Sequence, residues 1–261
     1  MAGVDPQAPR VPRADARVPN LMSTAPSTAG QPVPQISVVF PCHNEAENVA
    51  AVIADARQHV GALGDDFELI IVDDGSSDGT AERAREAAAG DDRVRVAQHP
   101  TNLGYGHALR TGFAAARAPL ICYVDGDGQF SLAELPKLIE ALGTHGFVLG
   151  YRIQRADPAH RTLNARLWGL VVRLVMGFNV RDIDCGFKLF RREVVQDIEF
   201  IAGRGAVISA ELVARATHAG HTYTEVGVTH YPRTAGEQSG NSPLVVLNSF
   251  VDIARLRWRL R

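Results

Sequence analysis

The chain has 261 residues, 46% of them apolar, and a formal net charge of −2, so it can build one large domain or two small ones and shows no basic surplus for nucleic acid. Its three cysteines, Cys42, Cys122 and Cys185, are too few and too far apart for a disulfide framework or a thiolate metal site, which points to a reducing compartment. No uncharged apolar stretch reaches the roughly 18–20 residues of a membrane span, and the N-terminus has arginines but no apolar leader core, so a soluble or peripheral protein is expected.

Residues 1–35 carry seven of the fourteen prolines and little to bury, a composition that predicts a disordered tail. The apolar run 36–40 predicts a first strand, followed by the loop Pro41-Cys42-His43-Asn44-Glu45. In 46–60, Val49, Val52, Ile53, Ala56 and Val60 fall on one helical face. Residues 67–72 predict a second buried strand running into Asp73-Asp74-Gly75-Ser76-Ser77-Asp78-Gly79-Thr80. Helix 81–89 follows, with Ser77 or Asp78 as its N-cap. Strand 94–98, the loop Asn102-Leu103-Gly104, a helix to about 117, strand 120–124, helix 132–143 and strand 147–151 complete the first half. Short apolar strands alternating with helices predict repeated βαβ units and a parallel sheet. The polar clusters all follow strands, at the sheet edge where such folds bind ligands.

The most informative cluster is Asp125-Gly126-Asp127-Gly128-Gln129. Two carboxylates this close repel unless a cation lies between them. Oxygen donors of this kind suit Mg²⁺ or Mn²⁺ shared with a substrate phosphate, and a polar turn after the strand is the alternative. Gly126 and Gly128 are expected to leave room for a ligand near the backbone. The loop 41–45 has no glycine, which excludes a dinucleotide fingerprint.

Together, Phe40-Pro41-Cys42-His43-Asn44-Glu45, the Asp73–Thr80 loop, Asn102-Leu103-Gly104 and Asp125-Gly126-Asp127-Gly128-Gln129 resemble glycosyltransferase family 2, over residues 36–240. Within it the chain is similar to dolichol-phosphate mannose synthases and polyprenyl-phosphate glycosyltransferases. The resemblance implies an α/β GT-A fold: a mostly parallel, Rossmann-like sheet flanked by helices, with C-terminal amphipathic helices. It implies a nucleotide site at Pro41, Glu45, Asp73, Asp74, Asn102 and Gly104. It also implies a Mg²⁺ or Mn²⁺ site at Asp125 and Asp127, with Gln129 as an additional ligand, and inverting transfer of a hexose. The donor would be GDP-mannose or UDP-glucose, the acceptor a polyprenyl phosphate at the cytoplasmic membrane face. Such an acceptor is already anionic at neutral pH and needs no general base. A hydroxyl acceptor would need one, and Asp182, Asp184 and Glu211 are the candidates.

In the second half, 161–180 predicts an amphipathic helix. Its apolar residues are Leu163, Leu167, Leu170, Val171, Leu174 and Phe178, its polar stripe Thr162, Arg166, Gly169 and Arg173, with Trp168 as an interfacial side chain. A core helix with arginines at its solvent edge is the alternative. Cys185-Gly186-Phe187-Lys188-Leu189 is similar to the family's Ser/Thr-Gly-Phe-Arg-Leu segment, with Lys188 as a phosphate-neutralising cation or, alternatively, one of the solvated charges of a surface strand. A helix at 206–219 and a strand at 223–230 precede Arg233-Thr234-Ala235-Gly236-Glu237-Gln238-Ser239-Gly240. This resembles a mobile loop, with Arg233 as a phosphate clamp. The segment 241–261 reads as a basic amphipathic helix suited to an anionic membrane surface or as a solvated helix end. Oligomeric state is left open. Three rivals stand beside the main reading: transfer to a glycan or small-molecule hydroxyl, a non-catalytic nucleotide-sugar binder, and a receiver-like signalling domain.

Overall fold

The computed structural model describes residues 35–153, 159–198, 207–236, 253–254 and 256–258, with side chains given from residue 167 in the segment that begins at 159. The tail 1–34, the loop end 237–240 and most of 241–261 lie outside them, as do the side chains of Thr162, Leu163 and Arg166. The strands are β1 (Ile36–Cys42), β2 (Phe67–Asp73), β3 (Val94–Gln98), β4 (Leu120–Val124), β5 (Phe147–Arg152), β6 (Phe187–Arg191) and β7 (Tyr223–Val228). The helices are α1 (Val49–Gly61), α2 (Thr80–Ala88), α3 (Tyr105–Ala115), α4 (Leu135–Leu142), α5 (Ala159–Met176), α6 (Arg192–Gln196) and α7 (Val207–His218).

The strands form one sheet in the order β3-β2-β1-β4-β6-β5-β7. Four pairings are parallel, and β6 lies antiparallel to both β4 and β5. The α/β, mostly parallel expectation therefore holds. A simple βαβ continuation from β4 to β5 does not, because β6 is inserted between them.

Each strand face packs its own helical layer, which is why the central strands read as unbroken apolar runs. On one side Val39, Ile70, Val72, Ile121, Tyr123, Phe147 and Phe190 meet residues of α3, α5 and α7. On the other, Val38, Phe40, Leu69, Ile71, Cys122, Val124, Phe187 and Leu189 meet α1, α2 and α4. Gly112 brings α3 onto the sheet so closely that a Cβ there would lie 2.1 Å from Val39 Cγ1. This contact fixes α3 beside the ligand edge.

Local boundaries shift for identifiable reasons. β1 runs through Pro41 to Cys42 rather than ending at Phe40, paired with Val72 and Asp73 of β2. The N-cap of α2 is Gly79, in the left-handed region (φ 87°), not Ser77 or Asp78. Asp78 still supports the helix start: its Oδ1 accepts the Thr80 N–H and its Oδ2 the Ala46 N–H. On α5, Trp168 and Val172 face the core, whereas Leu167, Leu170 and Leu174 are exposed. Trp168 is thus a packing residue, not an interfacial one.

Candidate active site

The site lies at the carboxyl ends of β1, β2 and β4, where three loops meet. The first two are laced together. Asn44 N–H donates to Ser76 Oγ, Ser77 N–H to Asn44 Oδ1, and Glu45 N–H to Thr80 Oγ1. Asp73 and Asp74, adjacent in sequence, do different work. The Asp74 carboxylate accepts the N–H groups of Leu103 and Gly104 at 2.9 and 2.7 Å, and His99 Nδ1 lies 2.7 Å from its Oδ1. Burial alone would raise its pKa, but these bonds from His99, Leu103 and Gly104 bring it below the ordinary carboxylate range. Asp74 therefore straps the 102–104 loop to β2. Asp73 Oδ1 accepts from Ser76, whereas its Oδ2 is buried with no hydrogen-bond partner. That orphaned acceptor is the better placed of the two for a ligand N–H or hydroxyl. Asn102 is on the exposed side of the strapped loop, and Pro41 is buried in β1.

Asp125 and Asp127 follow β4. Asp125 is held by the Tyr105 hydroxyl, which donates to Oδ1 at 2.6 Å, and its N–H donates to Gly186 O. Burial, then the charge of Asp127, pushes the Asp125 carboxyl up to about 7. Gly186 is required here, since a Cβ would sit 1.8 Å from Asp125 Oδ2. Gly126 makes room for Cys42 rather than for a ligand: a Cβ there would meet Cys42 Sγ at 2.4 Å. Gln129 is occupied by the chain itself, its Nε2 donating to Tyr231 O at 3.1 Å and its N–H to Asp127 Oδ1.

Lys188 is wholly buried, its ammonium donating to Cys185 O and lying 5.2 Å from the Tyr123 ring centroid. Burial alone would discharge it, but Tyr123, Cys185 and Asp125 together hold its pKa above the usual lysine value. It thus faces the interior behind Asp125, and neither a phosphate-facing cation nor a solvated surface strand describes it.

The segment after β7, residues 229–236, folds over the first loop. Arg233 Nη2 donates to both Glu45 oxygens at 2.6 and 2.7 Å, and its Nη1 lies 3.6 Å from Asp127 Oδ2. Asn48 Nδ2 donates to Glu45 Oε2 and to Ala235 O. Burial raises the Glu45 carboxyl above its ordinary value and Asp127 adds to this, against the opposing bonds from Asn48 and Arg233. Arg233 therefore joins the loop after β1 to the aspartate pair, while Ser239 and Gly240 lie outside the described residues. Two candidate bases are committed elsewhere. Asp182 forms a bidentate pair with Arg152 at 2.6 and 2.8 Å, and Glu211, fully buried, accepts from Arg215 Nε at 2.7 Å.

Asp125 and Asp127 fit a divalent cation. Burial, then the charge of Asp127, has raised one of them, both are carboxylate oxygen donors, and Gly186 leaves one oxygen of Asp125 its space. Among the described residues no cluster of three or more His, Cys, Asp or Glu closes a metal cage. Two protein ligands are the donor set of a cation completed by substrate phosphate and water. The sequence did not point to Tyr105, His99 or Asn48, and it gave Gly186 only as part of the 185–189 pattern, without its contact to Asp125. The position of Tyr105 at a helix start beside a strand end was the available signal. The contacts of the other three arise only from folding.

Paired aspartates and an arginine thus stand together at the carboxyl edge of an open, mostly parallel α/β sheet. The family model for glycosyl transferase family 2 matches residues 37–199, and the chain belongs to that family. It is 31% identical over 87% of its length to glycosyltransferase AglD of Haloferax volcanii, covering 37% of that protein. It is 32% identical over 85% of its length to the undecaprenyl-phosphate 4-deoxy-4-formamido-L-arabinose transferase of Pseudomonas paraeruginosa, covering 65% of it. It is 27% identical over 81% of its length to the undecaprenyl-phosphate mannosyltransferase of Micrococcus luteus, covering 89% of it. The chain thus spans between about a third and two thirds of the first two. Its fold is similar to that of glucosyl-3-phosphoglycerate synthase from Mycobacterium tuberculosis, solved with Mn²⁺, UDP and phosphoglyceric acid: TM-score 0.66, 23% identity, 87% of this chain and 78% of that one.

Proposed function

We propose that this protein is an inverting, divalent-cation-dependent glycosyltransferase that moves a hexose, mannose or glucose, from GDP-mannose or UDP-glucose to a polyprenyl phosphate. The observation that carries this reading is the Asp125–Asp127 pair at the end of β4, with Arg233 at 3.6 Å from Asp127. Asp73 Oδ2 accepts a hydrogen bond from the nucleoside, and the strap between Asp74 and the 102–104 loop walls that pocket. Asp125 and Asp127 would hold Mg²⁺ or Mn²⁺, which neutralises charge developing on the departing diphosphate. Arg233 exchanges its contact with Asp127 for a donor phosphate oxygen and keeps the loop closed through Glu45. Closure excludes water from a hydrolysable donor.

The acceptor phosphate oxygen attacks the anomeric carbon from the face opposite the leaving group. The bond from that carbon to the nucleotide β-phosphate oxygen breaks, and the nucleoside diphosphate leaves. No proton has to be removed from the acceptor. That suits a site in which Asp182 and Glu211 are already paired with guanidinium groups. Two of the relatives are named for undecaprenyl-phosphate transfer, which supports the same acceptor class. The exposed Leu167, Leu170 and Leu174 on α5 supply an apolar stripe that supports peripheral docking at a membrane face, in this reading the cytoplasmic one.

Calorimetric titration of UDP and GDP, with and without Mn²⁺, tests the donor site. Micromolar binding of one nucleotide that requires Mn²⁺, and is lost in Asp127→Asn, is the expected result. Equal binding with and without Mn²⁺ would contradict the cation site, and no nucleotide binding at all would contradict the reading as a whole.

A further inference from the structure

Tyr105 opens α3, directly after the 102–104 loop, and its phenol O–H donates to Asp125 Oδ1 at 2.6 Å. The opposite oxygen of the same carboxylate lies against Gly186, where a Cβ would come within 1.8 Å of it. Asp125 is thus gripped on one side by a donor and on the other by backbone. The terminal torsion of an aspartate is broad, so such contacts decide which oxygen faces a ligand. Tyr105 is itself fixed. The N–H groups of Leu103 and Gly104 donate to Asp74, and His99 bridges Asp74 to Thr111 further along α3, with Nε2 at 2.8 Å from Thr111 Oγ1. Gly112 seats the same helix on Val39 of β1. A continuous set of contacts therefore runs from the nucleotide-side carboxylate, through α3, to the strand-end aspartate.

We propose that Tyr105 is a positioning residue: its hydroxyl orients Asp125 for the divalent cation, and its place on α3 couples that orientation to the seating of the 102–104 loop. The inference rests on reading Asp125 and Asp127 as cation ligands. Outer-shell donors of this kind fix ligand geometry, and their loss weakens metal binding without removing a ligand.

Tyr105→Phe deletes only the hydroxyl. Mn²⁺ binding is measured by electron paramagnetic resonance of the free ion, at saturating UDP and, separately, GDP, beside the melting temperature of each protein. The expected result is a Kd for Mn²⁺ about tenfold weaker, with the melting temperature nearly unchanged and turnover largely restored by excess Mn²⁺. Gly186→Ala presses on the other side of the same carboxylate and should also weaken Mn²⁺ binding. A Tyr105→Phe protein that binds Mn²⁺ like wild type, or that only melts earlier, overturns the inference. If wild type binds Mn²⁺, Asp127→Asn loses it and Tyr105→Phe keeps it, the cation site stands and the role of Tyr105 falls. If wild type binds no Mn²⁺ with either nucleotide, both fall.

Discussion

Asp125 is pulled in two directions. Burial and the neighbouring Asp127 favour its protonated form, while a cation needs it ionised. Its carboxyl is raised from about 4 in an unfolded chain to about 7 in the fold, so between those values the cation-free fold binds more protons than the unfolded chain. On this group's account the cation-free protein loses stability as pH rises from 4 to 7. A bound cation reverses the preference, since binding must expel the proton. Mn²⁺ affinity should therefore fall by up to about tenfold per unit as pH drops below 7, with proton release visible as a buffer-dependent heat of binding. Affinity that is flat between pH 6 and 8 would contradict this. Glu68 shows the opposite sign. Burial would raise its pKa, but the Ser37 hydroxyl, the Arg117 N–H and the guanidinium groups of Arg95 and Arg117 bring it below the ordinary value. Its contribution is present above about pH 4.3 and is lost as pH falls through its lowered value. Glu68→Gln should cost about 2–3 kcal/mol at pH 7 by denaturant unfolding, with the difference from wild type shrinking in acid.

At the scale of elements, the loop after β7 depends on one ion pair. Arg233 reaches both oxygens of Glu45, and Asn48 ties Glu45 to Ala235. Glu45→Gln keeps the shape but removes the charge, so the loop should become more susceptible to limited proteolysis near residue 233 while α1 stays protected. Arg233→Ala should lower kcat by about a hundredfold, as expected when one stabilising cation is withdrawn from developing charge. Unchanged turnover in Arg233→Ala would remove it from the mechanism. Most elements were legible in the chain because parallel strands buried on both faces leave continuous apolar runs, and α1 showed its face through Val49, Val52, Ile53, Ala56 and Val60. β6 was not legible as a central strand. Phe187-Lys188-Leu189-Phe190 resembles a surface strand until Lys188 is found opposite Tyr123 of β4, whose ring accommodates its ammonium. Cross-strand register is a property of the sheet and has no local sequence signature. The same limit hid the division of labour between Asp73 and Asp74, which depends on where the 99–104 segment returns.

For the whole molecule, the outward leucines of α5 are the feature that bears on membrane docking. Among the described residues no helix is long and apolar enough to cross a membrane. Leu167, Leu170 and Leu174 are nevertheless exposed on one side of a helix whose Trp168 and Val172 pack inward. Full burial of each leucine is worth about 1.5–3 kcal/mol, enough for a few of them to hold a peripheral protein at a bilayer surface. Leu170→Glu combined with Leu174→Glu should weaken sedimentation with anionic vesicles several-fold while leaving nucleotide binding intact. Vesicle binding equal to wild type would exclude this face.

The central claim is tested most directly by incubating the purified protein with Mn²⁺ and either GDP-mannose or UDP-glucose, with and without undecaprenyl phosphate, and weighing the extracted lipid by mass spectrometry. A lipid heavier by one hexose, formed only when cation and lipid phosphate are both present and absent in Asp127→Asn, is the predicted result. Nucleotide release without any glycosylated lipid would contradict the lipid-phosphate acceptor.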